Sequence, residues 1–406
     1  MPETDRRDRA YRRVVALTGA LFLSYLAVAM SLPAVPIYVV QGLHLDNAFG
    51  GLAVGIAFLS TILTRAHAGA RADRLGSKQS MQRGLILYAG AALICLLASW
   101  SRLTVTGDYA VLIAGRLLLG LGESLTMVGM INWSIALISP ARSGKVMSLV
   151  GMGLYGAFAA GGPLGLVLLH RVGFAGLMGI CTLLPLVGLI AIHRFPAVTP
   201  HAGQRESIWR IIGRIWRAGA VVGLQGVGFA VLGAFFSLYF LSRGWPYPGL
   251  GLTCFGAGFV LVRLLCGHLP DRIGGTRVAI ASLGVEACGQ YLLWLAPGPW
   301  PALAGALLTG LGCSMVYPAM GSEVVKQVPT HLRGTAMGGF VAFQDLAYGT
   351  TGPLVGVLAD SLGYSAVFLI GGIAATLGFC LAVSRRAVPP AHGSDLHGRR
   401  LQPAAE

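Results

Sequence analysis

Apolar stretches of about 18 or more residues recur along almost the whole chain, with short polar segments between them. Each is long enough to cross a hydrocarbon core of roughly 30 Å as an α-helix. The first half contains six such spans and the second half repeats the plan. The predicted spans are 14–40, 48–70, 81–99, 108–135, 145–169, 173–193, 218–241, 249–269, 277–296, 300–324, 334–358 and 363–383. The pattern predicts an all-α polytopic membrane protein with 12 transmembrane helices in two six-helix bundles.

The polar segments divide the chain into four parts. Residues 1–193 form the predicted N-terminal six-helix half, and residues 218–384 the C-terminal half. Between them, the linker 194–217 alternates arginines with Ile and Trp, as in RESIWRIIGRIWR. This spacing predicts an amphipathic basic helix on the inner leaflet and disfavours the alternative of a DNA-binding helix. The polar, proline-rich tail 385–406 is predicted to be a disordered cytoplasmic segment.

A charged, glycine-rich loop occurs twice, at equivalent places in the two halves. The sequence GARADRLGSK follows the second span, and GHLPDRIGGTR follows the eighth, 198 residues later. Arg65 in the second span is matched by Arg263 in the eighth. The loop positions predicted to act in gating are Gly69, Asp73, Arg74 and Gly76, matched by Gly267, Asp271, Arg272 and Gly274.

A second repeat, offset by 190 residues, supports the duplication. Gly120–Leu121–Gly122 in span 4 reappears as Gly310–Leu311–Gly312 in span 10. Gly162 and Pro163 in span 5 reappear as Gly352 and Pro353 in span 11, and these four are the predicted helix-packing and hinge positions. The two bundles are therefore predicted to be pseudo-symmetric, which is the internal symmetry that secondary transporters use for alternating access.

Composition and charge agree with this interpretation. The chain is 55% hydrophobic and 11% charged, against roughly 25% charged residues in soluble domains. The net charge of +15 is concentrated on one side, where 24 of the 30 Lys and Arg residues fall in alternate polar segments and the two termini. This is the positive-inside pattern, so both termini are predicted to be cytoplasmic and no nucleic-acid partner is expected. The seven cysteines have no paired or metal-type spacing.

The sequence shows none of the motifs of enzymatic or ATP-driven chemistry. It has no GxxxxGK[ST] phosphate loop, HExxH or GxSxG. We therefore expect no enzyme activity, no cofactor and no metal site, with a proton gradient as the energy source. A channel would need an oligomeric selectivity ring, whereas two repeated halves already form a complete path.

With two GxxxDRxG loops, the chain resembles the major facilitator superfamily over nearly its whole length. Arg116, followed by Gly120–Leu121–Gly122–Glu123, resembles a second motif of this family. The segment from Gly153 to Gly165 resembles the glycine–proline motif of its proton-driven exporters, although one residue and one glycine follow Pro163 where two residues and a glycine pair are usual. Segments such as TRAHAGARADRLG and GLYGAFAAGGPLG resemble a bacterial inner-membrane subfamily often labelled sugar- or arabinose-efflux-like. The resemblance implies a monomer in the inner membrane.

Asp73 and Asp271 are acidic groups at the predicted cytoplasmic surface. They can accept hydrogen bonds from a neighbouring helix N-terminus or pair with nearby arginines such as Arg65 and Arg263. Contacts of this kind, made in one conformation and broken in another, would set the inward/outward equilibrium. The alternative is a static loop that only fixes the topology.

Ionisable residues inside the spans are candidates for proton coupling or substrate binding, because they are costly in a bilayer. For Arg116 the alternative is a structural arginine bonded to backbone carbonyls, and Glu123 lies two turns further along the same helix. Asp345, near the middle of span 11, has no local partner, and its repeat mate is Tyr155. Glu286 is as compatible with a structural contact to span 8 as with coupling.

Aromatic and amide residues at mid-span are candidates for lining a substrate cavity, because they can stack on and hydrogen-bond a sugar or a flat drug. Ordinary helix packing is the alternative for each of them. The candidates are Tyr25, Asn132, Trp133, Tyr155, Gln225, Tyr239, Thr309, Tyr317 and Gln344.

The sequence thus favours a secondary active transporter that exports sugar-like or drug-like small molecules by proton antiport and alternating access. The alternatives are a proton-coupled uptake symporter of the same fold and, in another class, a membrane sensor or interaction protein that binds without transport. The predicted partners are the small-molecule substrate, protons and the lipid bilayer. Substrate, direction and stoichiometry are not determined by the sequence.

Overall fold

The computed structural model describes residues 3–100, 104–138, 143–197, 208–328 and 333–386. These residues are almost entirely helical. The helices are α1 (Glu3–Ile37), α2 (Asn47–Leu75), α3 (Ser77–Trp100), α4 (Val105–Ile138), α5 (Ser143–Ile192), α6 (Ile208–Ser242), α7 (Leu250–Cys266), α8 (Leu269–Ile273), α9 (Gly275–Trp294), α10 (Pro299–Gln327), α11 (Arg333–Leu362) and α12 (Tyr364–Arg386). The predicted tail beyond residue 386 lies outside the described residues.

The helices correspond to the predicted spans with two departures. Helix α5 contains spans 5 and 6, and the turn predicted at 170–172 is reduced to one non-helical residue, Gly173 (φ 70°, ψ −179°). The predicted linker helix is not separate, because Ile208–Arg217 forms the first turns of α6, which continues through span 7. Eight of the described helices are long and apolar enough to cross a membrane, and one of these, Leu149–Ile192, contains both crossings of α5.

Proline shapes the end of the first span. Helix α1 contains Pro33 and Pro36. A five-residue π-helix, Tyr38–Gly42, follows directly. A proline removes an N–H donor and clashes with the carbonyl one turn earlier, so the regular hydrogen-bond ladder is disturbed at this point. Wider π-type turns accommodate such a disturbance inside a helix.

The two repeated loops adopt the same backbone turn. Gly76 ends α2 with φ 89° and ψ 150°. Gly274, its repeat mate, has φ 91° and ψ 139°. L-residues other than glycine rarely adopt these angles, so both turns require glycine. The two loops differ in one respect: α2 is continuous to Leu75, whereas the second copy breaks after Cys266 and restarts as the short helix α8, with Pro270 in its first turn.

Helices α1–α5 form one six-span bundle and α6–α12 the other. We call the face that carries residues 43–46 and 243–249 the outer face, following the charge-based prediction. Glycines bring the bundles together toward this face. A side chain at Gly51 of α2 would collide with the backbone of Gly352 of α11, and one at Gly162 of α5 would collide with Gly249 before α7.

The apolar core follows the same division. One buried cluster contains residues of both bundles. Its members from the C-terminal bundle, such as Phe236, Leu252 and Phe368, lie toward the outer face. A second cluster toward the inner face, which includes Val222, Met320 and Phe340, belongs to the C-terminal bundle alone. The two bundles thus share a core on the outer side, while the inner part of the C-terminal bundle has a core of its own.

Candidate functional site

An ion pair between Arg65 of α2 and Asp345 of α11 joins the two bundles. Arg65 Nη2 lies 2.6 Å from Asp345 Oδ2, and the two side chains are 27% and 10% exposed. Each residue lies about 26 Å along its helix from the outer end, at 1.5 Å per residue. Asp345 has no partner in its local sequence because its partner comes from the other bundle. Arg65 is also one of the predicted partners of Asp73, whose side chain lies outside the described part of the structure.

A second acidic residue lies beside this pair. The hydroxyl group of Tyr25 in α1 donates a hydrogen bond of 2.9 Å to Glu123 Oε1 in α4. Arg65 is an electrostatic neighbour of both carboxylates, those of Glu123 and Asp345. Tyr25, Arg65, Glu123 and Asp345 thus form a single group, which we call the central charged cluster. Four helices from both bundles contribute to it, so its geometry depends on how the bundles are positioned.

An aromatic layer covers the central charged cluster on its outer side. It crosses between the bundles at three places, where Phe58 meets Tyr348 with ring centroids 5.1 Å apart, Phe158 meets Phe229 at 5.3 Å, and Tyr155 stacks on Phe259 at 3.3 Å. Tyr348 also packs on Phe229. The charged residues are therefore separated from the outer face by packed aromatic rings.

The predicted cavity residues divide into two groups. Near the central charged cluster, Gln344 donates a hydrogen bond to Gln225 at 3.2 Å, and Tyr317 packs on Phe340. Tyr25 belongs to the cluster itself and Tyr155 to the aromatic layer, whereas four other predicted cavity residues are elsewhere. Trp133 donates to the carbonyl of Pro196, Asn132 is exposed, Thr309 accepts a hydrogen bond from Gln290 inside the C-terminal bundle, and Tyr239 packs on Trp245 toward the outer face.

Arg116 is held by backbone and hydroxyl oxygens. Its Nε donates to the carbonyl of Ala53 at 2.8 Å and its Nη1 to Ser31 Oγ at 3.3 Å. The side chain is only 2% exposed. It therefore ties α4 to α1 and α2 inside the N-terminal bundle, which is the arrangement expected of a structural arginine.

Arg116→Leu is expected to lower the stability of the purified protein by about 2 kcal/mol, because a buried carbonyl and a buried hydroxyl lose a charged donor. The measurement is thermal unfolding in detergent. Ser31→Ala is the matched control, since it removes one of the two hydrogen bonds, and a smaller loss is expected. Equal stability of Arg116→Leu and wild type would contradict this structural role.

Glu286 in α9 is fully buried within the C-terminal bundle. A side chain added at Gly228 of α6 or Gly312 of α10 would collide with it. Its neighbours thus include spans 7 and 10, and the contact with span 8 stays a prediction.

The charged loops lie at the inner ends of α2 and α7. Arg74 and Arg272 are exposed, and a side chain at Gly69 would meet no other atom. Gly267 caps α7 in a helical conformation. The side chains of Asp73 and Asp271 lie outside the described part of the structure, so their predicted gating contacts stay a prediction.

A polar clasp holds the bundles together at the outer face. Asn47, which begins α2, donates to Asp360 of α11 through its side chain at 2.6 Å and its backbone N–H at 3.2 Å. The hydroxyl of Tyr364 donates to Asn47 Oδ1 at 2.9 Å. The clasp lies next to the glycine crossing of α2 and α11, and Pro353 follows directly after Gly352 in that crossing.

Sequence reasoning did not find the aromatic layer, the outer clasp or the role of Arg65 as the partner of Asp345. For Arg65 a signal was present, since it is duplicated as Arg263 in the repeat. For Asn47, Asp360 and Tyr364 there was none, because residues more than 300 positions apart meet only through bundle packing.

Comparisons with known proteins agree with the geometry. The family model of the Major Facilitator Superfamily matches residues 17–251 and 244–405. An uncharacterized MFS-type transporter from Salmonella typhimurium is 42% identical over 362 residues, covering 89% of this chain and 93% of that relative. An uncharacterized MFS-type transporter from Pseudomonas aeruginosa is 38% identical over 397 residues, covering 93% of this chain and 94% of the relative.

Solved structures show the same fold at low sequence identity. A mutant of the nucleoside transporter NupG has a TM-score of 0.75 at 14% identity, with 92% of this chain and 99% of that chain covered. The POT family transporter PepTSo has a TM-score of 0.70 at 12% identity, with coverage of 93% and 98%. The prediction of a twelve-helix membrane transporter, and not an enzyme, is confirmed. The chain belongs to the Major Facilitator Superfamily.

Proposed function

We propose that the protein exports small organic molecules, sugar-like or drug-like, from the cytoplasm by proton antiport, as a monomer in the bacterial inner membrane. The observation that carries this proposal is the Arg65–Asp345 ion pair, which links the two bundles at the central charged cluster. A carboxylate whose charge holds an inter-bundle contact couples protonation to bundle movement, because protonation removes the charge that Arg65 binds.

The described contacts support a state closed on the outer side. The clasp at Asn47, the crossing of Gly51 and Gly352 and the aromatic layer all lie between the central charged cluster and the outer face. In the proposed cycle, the substrate enters from the inner side and a proton arrives from the outer side in the opposite conformation. The two bundles, 1–193 and 218–384, move as units about the cluster, with 194–217 as their cytoplasmic connection.

Export is favoured over uptake by the resemblance of the glycine–proline segment of span 5 to the motif of proton-driven exporters. Gly162 and Pro163 lie directly against Gly249 at the outer end of the seam between α5 and α7. The glycines at this point let α5 and the start of α7 approach closely in this state.

Inverted membrane vesicles with an acidified lumen test the coupling and its direction. A panel of sugars and planar aromatic compounds is added outside, on the former cytoplasmic face. Antiport predicts that a transported compound triggers proton release from the lumen, whereas symport predicts that the added compound and protons enter the lumen together. Binding of a compound without any flux would identify a sensor and overturn the proposal. Vesicles from cells without the protein provide the baseline.

Asp73→Asn is expected to reduce transport at least tenfold while leaving the amount of protein in the membrane nearly unchanged. The side chain belongs to the duplicated loop, and loss of its charge removes an acceptor for contacts that differ between conformations. Flux in vesicles, normalised to protein in the membrane, measures the effect. The control is Asp108→Asn, at the opposite end of the same bundle. Full flux of Asp73→Asn at normal protein level would contradict a gating role.

A further inference from the structure

The internal repeat places two arginines at equivalent positions in the bundles. Arg65 in α2 corresponds to Arg263 in α7, 198 residues later, and Asp345 in α11 corresponds to Tyr155 in α5. Arg65 pairs with Asp345. Between α5 and α7, the position that corresponds to Asp345 is therefore occupied by an aromatic residue, Tyr155. The symmetry that duplicates the arginine does not duplicate its counter-charge.

Arg263 has no carboxylate partner among the described residues. Its Nη2 donates to the carbonyl of Ser314 in α10 at 2.9 Å. Its guanidinium lies over the ring of Phe259, 5.2 Å from the centroid, and its Nε is buried without a hydrogen-bond partner in the described structure. The ionisable groups near it are the hydroxyls of Tyr155 and Tyr317. Among the described residues, this half-buried guanidinium is held by a carbonyl and aromatic rings, so its positive charge has no counter-ion there and some of its N–H donors are unused.

There is also space beside this group. A cavity of about 40 Å³ lies in the seam between α5 and α7, lined by Met152, Phe259, Val260, Arg263 and Leu264. A volume above roughly 15 Å³ accommodates a water molecule. The cavity therefore has room for a water molecule or for one end of a ligand, and Arg263 supplies the charged side chain among these five lining residues.

We propose that Arg263 binds the anionic group of the transported molecule, so the substrates are small organic anions that carry a carboxylate or a phosphate. This inference rests on the proposed function, because it names the substrate class of the exporter. Guanidinium matches both anions through paired N–H donors, and an anion supplies the counter-charge that Tyr155 does not. Between α2 and α11, the protein itself supplies the counter-charge, because Asp345 pairs with Arg65.

The first experiment identifies what is exported. Cells that overexpress the wild type, Arg263→Gln, Arg263→Lys or the control Arg243→Gln are compared for extracellular metabolites. Arg243 is an exposed arginine near the outer face, so its variant loses the same charge outside the seam. We expect cells with the wild type and with Arg243→Gln to accumulate extracellular compounds that are anionic at neutral pH. This accumulation is expected to be at least tenfold lower with Arg263→Gln and to be partly retained with Arg263→Lys. Accumulation of only neutral or cationic compounds would overturn the inference and leave the transporter proposal standing.

The second experiment measures binding without transport. Purified protein in a neutral detergent is heated with gluconate, glucose 6-phosphate, glucose or phosphatidylglycerol at equal ionic strength, since a ligand that binds the folded state raises the melting temperature. We expect stabilisation by one or both anions, none by glucose, and an apparent affinity lowered about 10- to 100-fold in Arg263→Gln, as for loss of a charged hydrogen bond. Equal responses to glucose and the anions, no response to either anion, or stabilisation by phosphatidylglycerol alone would each overturn the inference. Anion binding without export in the first experiment would overturn the transporter proposal instead.

Discussion

Asp345→Asn is expected to reduce proton-driven flux at least 100-fold. The variant cannot be ionised, so it neither holds Arg65 by charge nor releases it on protonation. Removing one partner of this partly buried pair also leaves the charge of Arg65 uncompensated. In a site without water, this lowers the stability by about 3–5 kcal/mol. The measurement is pH-gradient-driven flux in inverted vesicles, together with substrate exchange in the absence of a gradient. Exchange is expected to persist at a reduced rate, because the substrate path itself is not blocked.

Two further variants separate coupling from folding. Arg65→Gln combined with Asp345→Asn removes both charges, so we expect the melting temperature to recover relative to the single variants while proton-driven flux stays lost. Asp345→Glu keeps a titratable carboxylate and is expected to retain part of the coupled flux. Normal proton-driven flux in Asp345→Asn would show that another group, such as Glu123, carries the proton, and would remove Asp345 from the mechanism.

Gly352→Ala is expected to have the second largest effect, with a loss of stability of about 1–3 kcal/mol and a loss of most of the flux. A side chain here collides with the backbone of Gly51 across the bundle interface, so α2 and α11 must separate on the outer side. Without such a neighbour, Gly to Ala inside a helix gains roughly 0.5–1 kcal/mol. The sign of the effect therefore reports the close approach itself.

Gly338→Ala is the matched control for this experiment. Gly338 lies in the same helix, and a side chain there would meet no atom within 4 Å. We expect its melting temperature to be equal to or above that of the wild type, while that of Gly352→Ala falls. If both variants behaved alike, the outer crossing of α2 and α11 would not contribute to the stability of this state.

The repeat was the most informative feature of the sequence. The paired loops around Gly76 and Gly274 predicted the duplication, and both glycines adopt the same turn. This succeeded because a positive φ is a local demand of the backbone that restricts one position to glycine. The span boundaries were less accurate where a helix continues through a polar segment, as at Ile208–Arg217, since an amphipathic segment and an apolar one can share a helix.

The candidate residues were predicted less well than the fold. Mid-span polarity selected Glu123, Asp345 and Tyr25, which do meet in one cluster, but it also selected Tyr239 and Asn132, which do not. Polarity within a span shows that a residue avoids lipid or has a partner. It does not show toward which neighbour the residue points, because that depends on the rotation and tilt of each helix in its bundle.

The sequence by itself determined the apolar spans, the duplication and the family, and it predicted the sidedness of the charges, because each is a property of composition or of local spacing. Only the tertiary structure decided the pairing of Arg65 with Asp345, the clasp from Asn47 to Asp360 and the absence of a carboxylate beside Arg263 in the described part of the chain. These contacts join helices from opposite bundles or distant segments of one bundle. Their geometry follows from glycine-mediated packing of whole helices, which has no signature at the positions of the charged residues themselves.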